Sequence, residues 1–367
     1  MDSLTQFALG AAIGTVALGR KIGPRRAALV GGVLGTLPDL DVFLPFDGPI
    51  DSFVEHRGWT HSLIVHSLLA APFGEALYRL FRARAPDLTR VRAVATVWLV
   101  LTTHALLDWA TTYGTRILWP LSDEPFALSW IFIIDPLYTL PLLVAVLGAL
   151  LFGARWRGAP RAAAAALAVS WLYLGWTGLS QQIARDKVES ALAVAGVQPE
   201  RIVMIPMPFN SFLWRGIAID GERYYNVYRS VFDRRDAAPL HQHPRNLAYA
   251  DALESYEPPQ RVERFSGGAY AYRRDGDAIL ISDIRMGVTP SYVFTFRVGT
   301  LRDLAALDET RLTGGDAGPA PTSGPGAAID PAPIDPAPVA QVEPKRDFSG
   351  MGWLLRRILD EDAVRRE

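Results

Sequence analysis

The chain of 367 residues is 50% hydrophobic and carries a formal charge of −1. It is too long and too apolar for one ordinary soluble domain, and it lacks the long basic, aromatic-interleaved stretches that would make nucleic acid its main partner. There is no cysteine, which excludes thiol catalysis, disulfides and cysteine-ligated metal.

The apolar excess lies before about residue 183. Met1-Asp2-Ser3-Leu4-Thr5-Gln6-Phe7 has no basic residue ahead of the first apolar run, and Arg20-Lys21 and Arg25-Arg26 follow it. Leu4–Gly19 is therefore read as a retained first helix rather than a cleaved signal. Its Gly and Ala content suits close packing or a re-entrant path. Further runs at Ala27–Leu44, Leu63–Phe81, Val91–Trp109, Ile131–Phe152 and Ala162–Ile183 are each near the length that crosses ~30 Å of hydrocarbon. The expectation is six spans within residues 1–183. Basic residues fall in alternate loops, around Arg20–Arg26, Arg79–Arg92 and Arg155–Arg161. The positive-inside rule puts those loops in the cytoplasm and puts the N-terminus, Pro45–Trp59, Ala110–Trp130 and the chain after the sixth span outside.

Beyond the spans, Arg185–Val194 reads as an amphipathic helix continuing outward. Trp214–Val231 and Ala269–Arg285 read as hairpins around Asp220-Gly221 and Asp275-Gly276, and Ser291–Val298 as another strand. Residues 184–312 are thus expected to form a small α+β domain with an antiparallel sheet. Residues 313–345 read as a Pro/Ala-rich disordered or polyproline linker, and 346–367 as a short amphipathic helix lying on a membrane or partner surface.

Ionisable residues cluster at the ends of the apolar runs: Asp2, Asp39 and Asp41, His56 and His61, His104 and Asp108, and Asp135. The expected topology sets all of them at the outer face. Carboxylates and imidazoles at a membrane edge are costly, and they are the ligand types that hold zinc, manganese or iron. His104 and Asp108, four apart, share a helix face. Asp39 and Asp41 follow Pro38, where a helix ends and backbone is freed. His56 and His61 bracket the flexible Arg57-Gly58, with Thr60 as a candidate helix cap. Arg57 is a candidate clamp for a phosphate or carboxylate, with lipid head-group anchoring as its other reading. His66 reads as a packing group and His241 and His243 as solvated loop residues. Trp59, Trp109, Trp119 and Trp130 form an interfacial belt.

Several of these stretches, among them Met1-Asp2-Ser3-Leu4-Thr5-Gln6, Leu37-Pro38-Asp39-Leu40-Asp41, His56-Arg57-Gly58-Trp59-Thr60-His61-Ser62, Thr103-His104-Ala105-Leu106-Leu107-Asp108 and Ile134-Asp135-Pro136-Leu137-Tyr138, resemble the YdjM-like family of membrane-bound metal-dependent hydrolases. Many relatives have His where Gln6 stands. The resemblance implies a multi-pass inner-membrane hydrolase that uses a divalent metal, with His/Asp clusters similar to those of zinc-dependent phospholipase C. The expected metal set is Asp39, Asp41, His56, His61, His104 and Asp108, with Asp2 and Asp135 as further ligands or supports. Asp39, Asp108 and Arg57 are the catalytic candidates, around one to three ions, zinc first and manganese or iron next. A lipid or lipid-linked phosphoester at the outer leaflet would be the substrate. The competing expectation is a non-catalytic transport or scaffold protein whose polar cluster binds ions or a partner.

Overall fold

In the computed structural model, residues 1–301, 334–343 and 351–365 are described. The first half is helical: α1 Ser3–Ile22, α2 Pro24–Thr36, α3 Pro49–Glu55, α4 Leu63–Phe81, α5 Arg90–Trp109, α6 Pro136–Phe152 and α7 Ala159–Val194. Local chemistry sets the starts. The Asp2 carboxylate accepts the Leu4 and Thr5 amides to begin α1, Asp135 accepts those of Leu137 and Tyr138 to begin α6, and Pro24 opens α2. Ser62, not Thr60, caps α4 by accepting from the Ile64 and Val65 amides.

Among the described residues, three helices are long and apolar enough to cross a membrane: Arg90–Trp109, Pro136–Arg155 and Ala159–Val194. The expected count of six is not met, for two reasons. The run Ala27–Leu44 is not one helix, since α2 stops after 13 residues, about 20 Å of rise, and a 3-10 segment Pro38–Phe43 takes over. The helices α1 and α4 carry polar groups, Gln6 and Thr15 in one and His66, Glu75 and Arg79 in the other, that dilute their apolar character.

Close backbone packing holds α1 against α2. A Cβ on Gly10 would sit 2.3 Å from the Gly31 carbonyl oxygen, and one on Gly31 would sit 2.1 Å from that of Gly10. Gly14 and Gly35 extend the contact by one turn on each helix, the small-residue spacing that lets membrane helices touch backbone to backbone. At the basic end of the bundle Lys21 pairs with Asp87, and Arg25 donates to the Leu150 and Leu151 carbonyls. The three basic turns therefore gather at the end opposite the His/Asp residues.

With 36 residues, about 54 Å of rise, α7 runs past the bundle. Its Ala184, Val188, Ala191 and Leu192, spaced along one face, pack on Met204, Trp214, Ala218, Tyr225 and Val227. These last belong to an antiparallel sheet of order β1-β2-β3-β4, formed by Arg201–Pro206, Leu213–Asp220, Arg223–Ser230 and Leu240–Pro244. The short helices α8 Ala248–Ala252 and α9 Glu257–Phe265 lead into β5 Tyr270–Asp275 and β6 Ala278–Asp283. A two-residue pair, β7 Gly287–Val288 with β8 Ser291–Tyr292, precedes β9 Thr295–Leu301, and β10 Ile334–Gln341 completes a second sheet of order β10-β9-β6-β5. Both expected hairpins are present, with Asp220 paired to Arg223 and Asp275 to Ala278.

The second sheet rests on the bundle. Phe53 of α3 meets Phe265 at 4.7 Å and Phe296 at 5.4 Å between ring centres, and Arg261 bridges Asp51 and Glu55. Three expectations change here. Ile334–Gln341, within the presumed linker, is a strand on β9; the rest of 313–345 apart from 342–343 lies outside the described residues. The C-terminal helix Met351–Leu359 docks on this chain's own sheet through Leu354 and an Arg357–Asp233 ion pair of 2.6 Å. His241 and His243 lie on the edge strand β4, against Tyr228 and Tyr224, rather than in a loop.

Candidate metal centre

Three elements bring together four ligand-type side chains. Asp39 comes from the 3-10 segment after α2, His61 from the 3-10 turn Trp59–His61, and His104 and Asp108 from successive turns of α5. One donor atom from each lies within 4.8 Å of every other. The two Nε2 atoms are 3.1 Å apart. Asp108 Oδ2 is 3.2 Å from His61 Nε2 and 3.3 Å from His104 Nε2, while Asp39 Oδ1 is 3.5 Å from both. His61, His104 and Asp108 are buried and Asp39 is nearly so.

The surroundings fix the tautomers. His104 Nδ1 lies 2.7 Å from the Gly35 carbonyl, which only accepts, so that nitrogen carries the proton. Thr60 Oγ1 gives its own proton to Asp41 Oδ2 at 2.8 Å, leaving its oxygen to accept from His61 Nδ1 at 3.0 Å. Both Nε2 lone pairs therefore face each other and two carboxylates, and Asp108 Oδ2 has no hydrogen-bond partner among the described residues. Such a group is repulsive until a cation or added protons enter it. Two imidazoles with outer N–H groups tied to oxygen, beside two carboxylates, form a donor set suited to a divalent metal.

The other expected residues support this group or stand apart. Asp41 lies behind His61: its Oδ1 accepts from His56 Nδ1 at 2.8 Å and its Oδ2 from the Arg57 amide at 3.0 Å. Burial opposes ionisation of Asp41, yet the His56 hydrogen bond, neighbouring His61 and the Thr60 hydroxyl hold its carboxyl below the usual range. His56 is outside the four, with its ring 6.0 Å from that of His61. Asp2 and Asp135 do not join the cluster. Their oxygens are occupied as helix caps, with Tyr173 also donating to Asp135 at 2.9 Å. Gln6 donates to Asp108 Oδ1 at 3.1 Å, and its own Oε1 is unpartnered among the described residues; the Met1 ammonium donates to the same Asp108 oxygen. His66 donates to the Thr60 carbonyl at 2.7 Å and points its chemistry away from the cluster.

Arg57 is buried, and its φ of 61° is rare outside glycine. Its Nη1 donates to Thr111 at 3.0 Å, its Nη2 lies 3.4 Å from Asp108 Oδ1, and its Nε has no partner among the described residues. Together with His56 it lines a cavity of about 490 Å³ whose walls also include Phe53, Tyr113 and Phe132 from the bundle, and Ile205, Met207, Arg215, Arg285 and Phe294 from the sheets. The sequence reading missed the sheet residues entirely, because nothing local marks a strand position 100 residues away as part of a membrane-edge site. It also missed Thr60 and the Gly35 carbonyl as supports. For these a signal existed, in Thr60 adjoining His61 and in the repeated glycine spacing before Asp39.

A helical membrane domain with a buried two-histidine, two-aspartate group able to hold a metal ion, carrying an antiparallel-sheet domain, is the class that this fold and site define. The chain belongs to the YdjM inner membrane protein family, which it matches over residues 1–184. No curated protein and no solved structure matches it.

Proposed function

We propose that the protein is a divalent-metal-dependent hydrolase of the inner membrane, cleaving a phosphoester or related ester of a lipid or lipid-linked substrate at the outer face. One observation carries this reading: four metal-type donors converge with their protons held elsewhere, next to a largely apolar cavity of about 490 Å³. A bound divalent ion, zinc first and manganese or iron next, supplies an acidified water and counter-charge for a substrate oxygen.

The residues of the chain do the rest. Asp39, His61, His104 and Asp108 hold the ion, and Gly35 and Thr60 keep the imidazoles oriented. His56, polarised by Asp41 and lining the cavity, takes the proton of the attacking water as the new bond to the ester centre forms. It returns that proton to the leaving oxygen as the ester bond breaks. Arg57 steadies Asp108 and has its Nε–H free for an anionic oxygen of the substrate.

The outer location is supported by the gathering of Arg20, Arg25, Arg79, Arg90 and Arg155 at the opposite end of the bundle. The test is to purify the protein, measure bound metal by elemental analysis, and assay zinc- and manganese-loaded samples on phospholipids, lipid-linked phosphates and water-soluble phosphodiesters. Metal-dependent turnover favouring the lipid esters is expected. Bound metal without turnover of any ester would overturn the hydrolase, and preference for the soluble esters would overturn the lipid substrate.

A further inference from the structure

Along β2 the side chains alternate: Trp214 and Ala218 pack toward α7, while Ile217 and Ile219 join the apolar cluster of Ile205, Tyr224, Ile284 and Tyr292 on the other side. Arg215 falls in the same register as Ile217 and Ile219, where an apolar residue is expected. It is fully buried. Its Nη2 donates to the Ile284 and Arg285 carbonyls at 2.6 and 3.2 Å, but among the described residues Nε and Nη1 have no partner and no carboxylate pairs with it. The other cavity arginines differ: Arg285 is held by Asp283 at 2.7 Å, and Arg57 lies beside Asp108. A buried guanidinium without a counter-ion is costly to retain, and this one lines the cavity that also holds His56 and Arg57.

We infer that Arg215 is an anion-recognition residue of this cavity, and that the ligand is an amphiphile bearing a second anionic group, phosphate or carboxylate, besides its reactive ester. The unpartnered Nε–H and Nη1–H groups, which lie on different edges of the guanidinium, are the donors left for the anion, each offering a single charge-assisted hydrogen bond. Val42, Phe53, Phe132, Ile205, Met207 and Phe294 line the cavity for the apolar body. The inference deepens the hydrolase reading and rests on it only for the identity of the reactive end. It also divides the labour of the chain. The metal group lies inside the family-matched residues 1–184, whereas Arg215 lies in the sheet domain beyond them, so the sheet domain selects the substrate.

The experiment uses the full chain in phosphatidylcholine nanodiscs, stripped of metal with chelator. Retention of radiolabelled dodecyl phosphate and of dodecanol is measured above that of empty nanodiscs, with inorganic phosphate as competitor. The wild type is expected to retain dodecyl phosphate in clear preference to dodecanol, and millimolar inorganic phosphate should displace little of it. Arg215→Met should weaken dodecyl phosphate retention about ten- to hundredfold while leaving dodecanol unchanged. Arg215→Lys, which keeps the charge and a donor for the Ile284 carbonyl, should keep the preference with weaker binding, and it decides the matter if Arg215→Met does not fold. Equal retention of the two probes by wild type, a preference surviving Arg215→Met, a preference abolished by Arg57→Gln alone, or full displacement by inorganic phosphate would each overturn the inference. Because no metal is present, these outcomes do not depend on hydrolysis. Their failure leaves the metal hydrolase standing, and loss of the hydrolase leaves them readable.

Discussion

His61 and His104 meet Nε2 to Nε2 at 3.1 Å, each with its proton fixed on the far side, on the Thr60 hydroxyl and the Gly35 carbonyl. Two lone pairs at that distance, with Asp108 Oδ2 a further 3.2 Å from His61, define a place that a positive charge must fill. The consequences of that arrangement can be measured.

His61→Ala, His104→Ala and Asp108→Ala should each abolish bound metal in elemental analysis, and double substitutions should cost little more than single ones, because the groups act as a unit. Asp2→Ala and Asp135→Ala, which remove helix caps together with the acceptors of the Thr5 and Tyr173 hydroxyls, should keep the metal and lose about 0.5–2 kcal/mol of stability. Metal loss in either cap variant would return that residue to the ligand set.

Asp41→Asn keeps the shape of the support behind His61 but weakens its hold on His56 and Thr60. Metal affinity should fall about 10–100-fold, the usual effect of disturbing a partner that orients a ligand. Titration with zinc against a competing chelator measures this, and unchanged affinity would remove Asp41 from the support of the site.

Stripping metal should lower the melting temperature, and zinc at about 100 times its dissociation constant should restore about 2.7 kcal/mol. In His104→Ala the same zinc addition should restore nothing. A similar gain in both proteins would place the stabilising metal elsewhere.

Gly31→Ala drives a methyl to 2.1 Å from the Gly10 carbonyl and should force α2 away from α1, at about 1–3 kcal/mol and with loss of metal as the Gly35 carbonyl leaves His104. Gly175→Ala, with nothing within 4 Å of the new atom, should be neutral to within about 1 kcal/mol. Thermal melts of the two variants, with metal content measured alongside, separate the outcomes.

With no native cysteine, single thiols report sidedness directly. Cysteines at exposed Asp123 and Ser255 should react with an impermeant reagent once the outer barrier is opened, whereas cysteines at exposed Ala83 and Arg157 should react only after lysis. The reverse pattern would put the site on the cytoplasmic side.

Much of the site was legible because it obeys helix periodicity. His104 and Asp108 are four apart on α5, and Asp39 and His61 stand where apolar runs begin or end. Asp2 and Asp135 were open to either use, since an acid just before a helix is equally the signature of a cap, and residue type alone does not separate a cap from a ligand or its support. The six-span expectation failed because hydropathy is blind to where a helix gives way to a 3-10 segment within one apolar run, as it does after Thr36. The Pro-rich stretch at Ile334–Gln341 looked unable to pair. It does so as the edge of its sheet, with a register shift between Pro336 and Ala340, and an edge is where a strand tolerates proline. Arg215 was invisible because a buried cation in β2 matters only through what the fold sets opposite it.

The helix α7 crosses the bundle and then carries the first sheet on Ala184, Val188, Ala191 and Leu192 without interruption. It therefore acts as a strut of fixed phase and fixed length. One residue inserted just after Ala184 would turn the sheet domain by about 100° about the helix axis and swing Arg215 out of the cavity. Seven inserted residues would restore the phase to within about 20° but lift the domain by about 10 Å. No insertion keeps both, so a sheet domain grafted onto this bundle should serve the cavity only where the number of residues between the metal-bearing helices and the first strand is preserved.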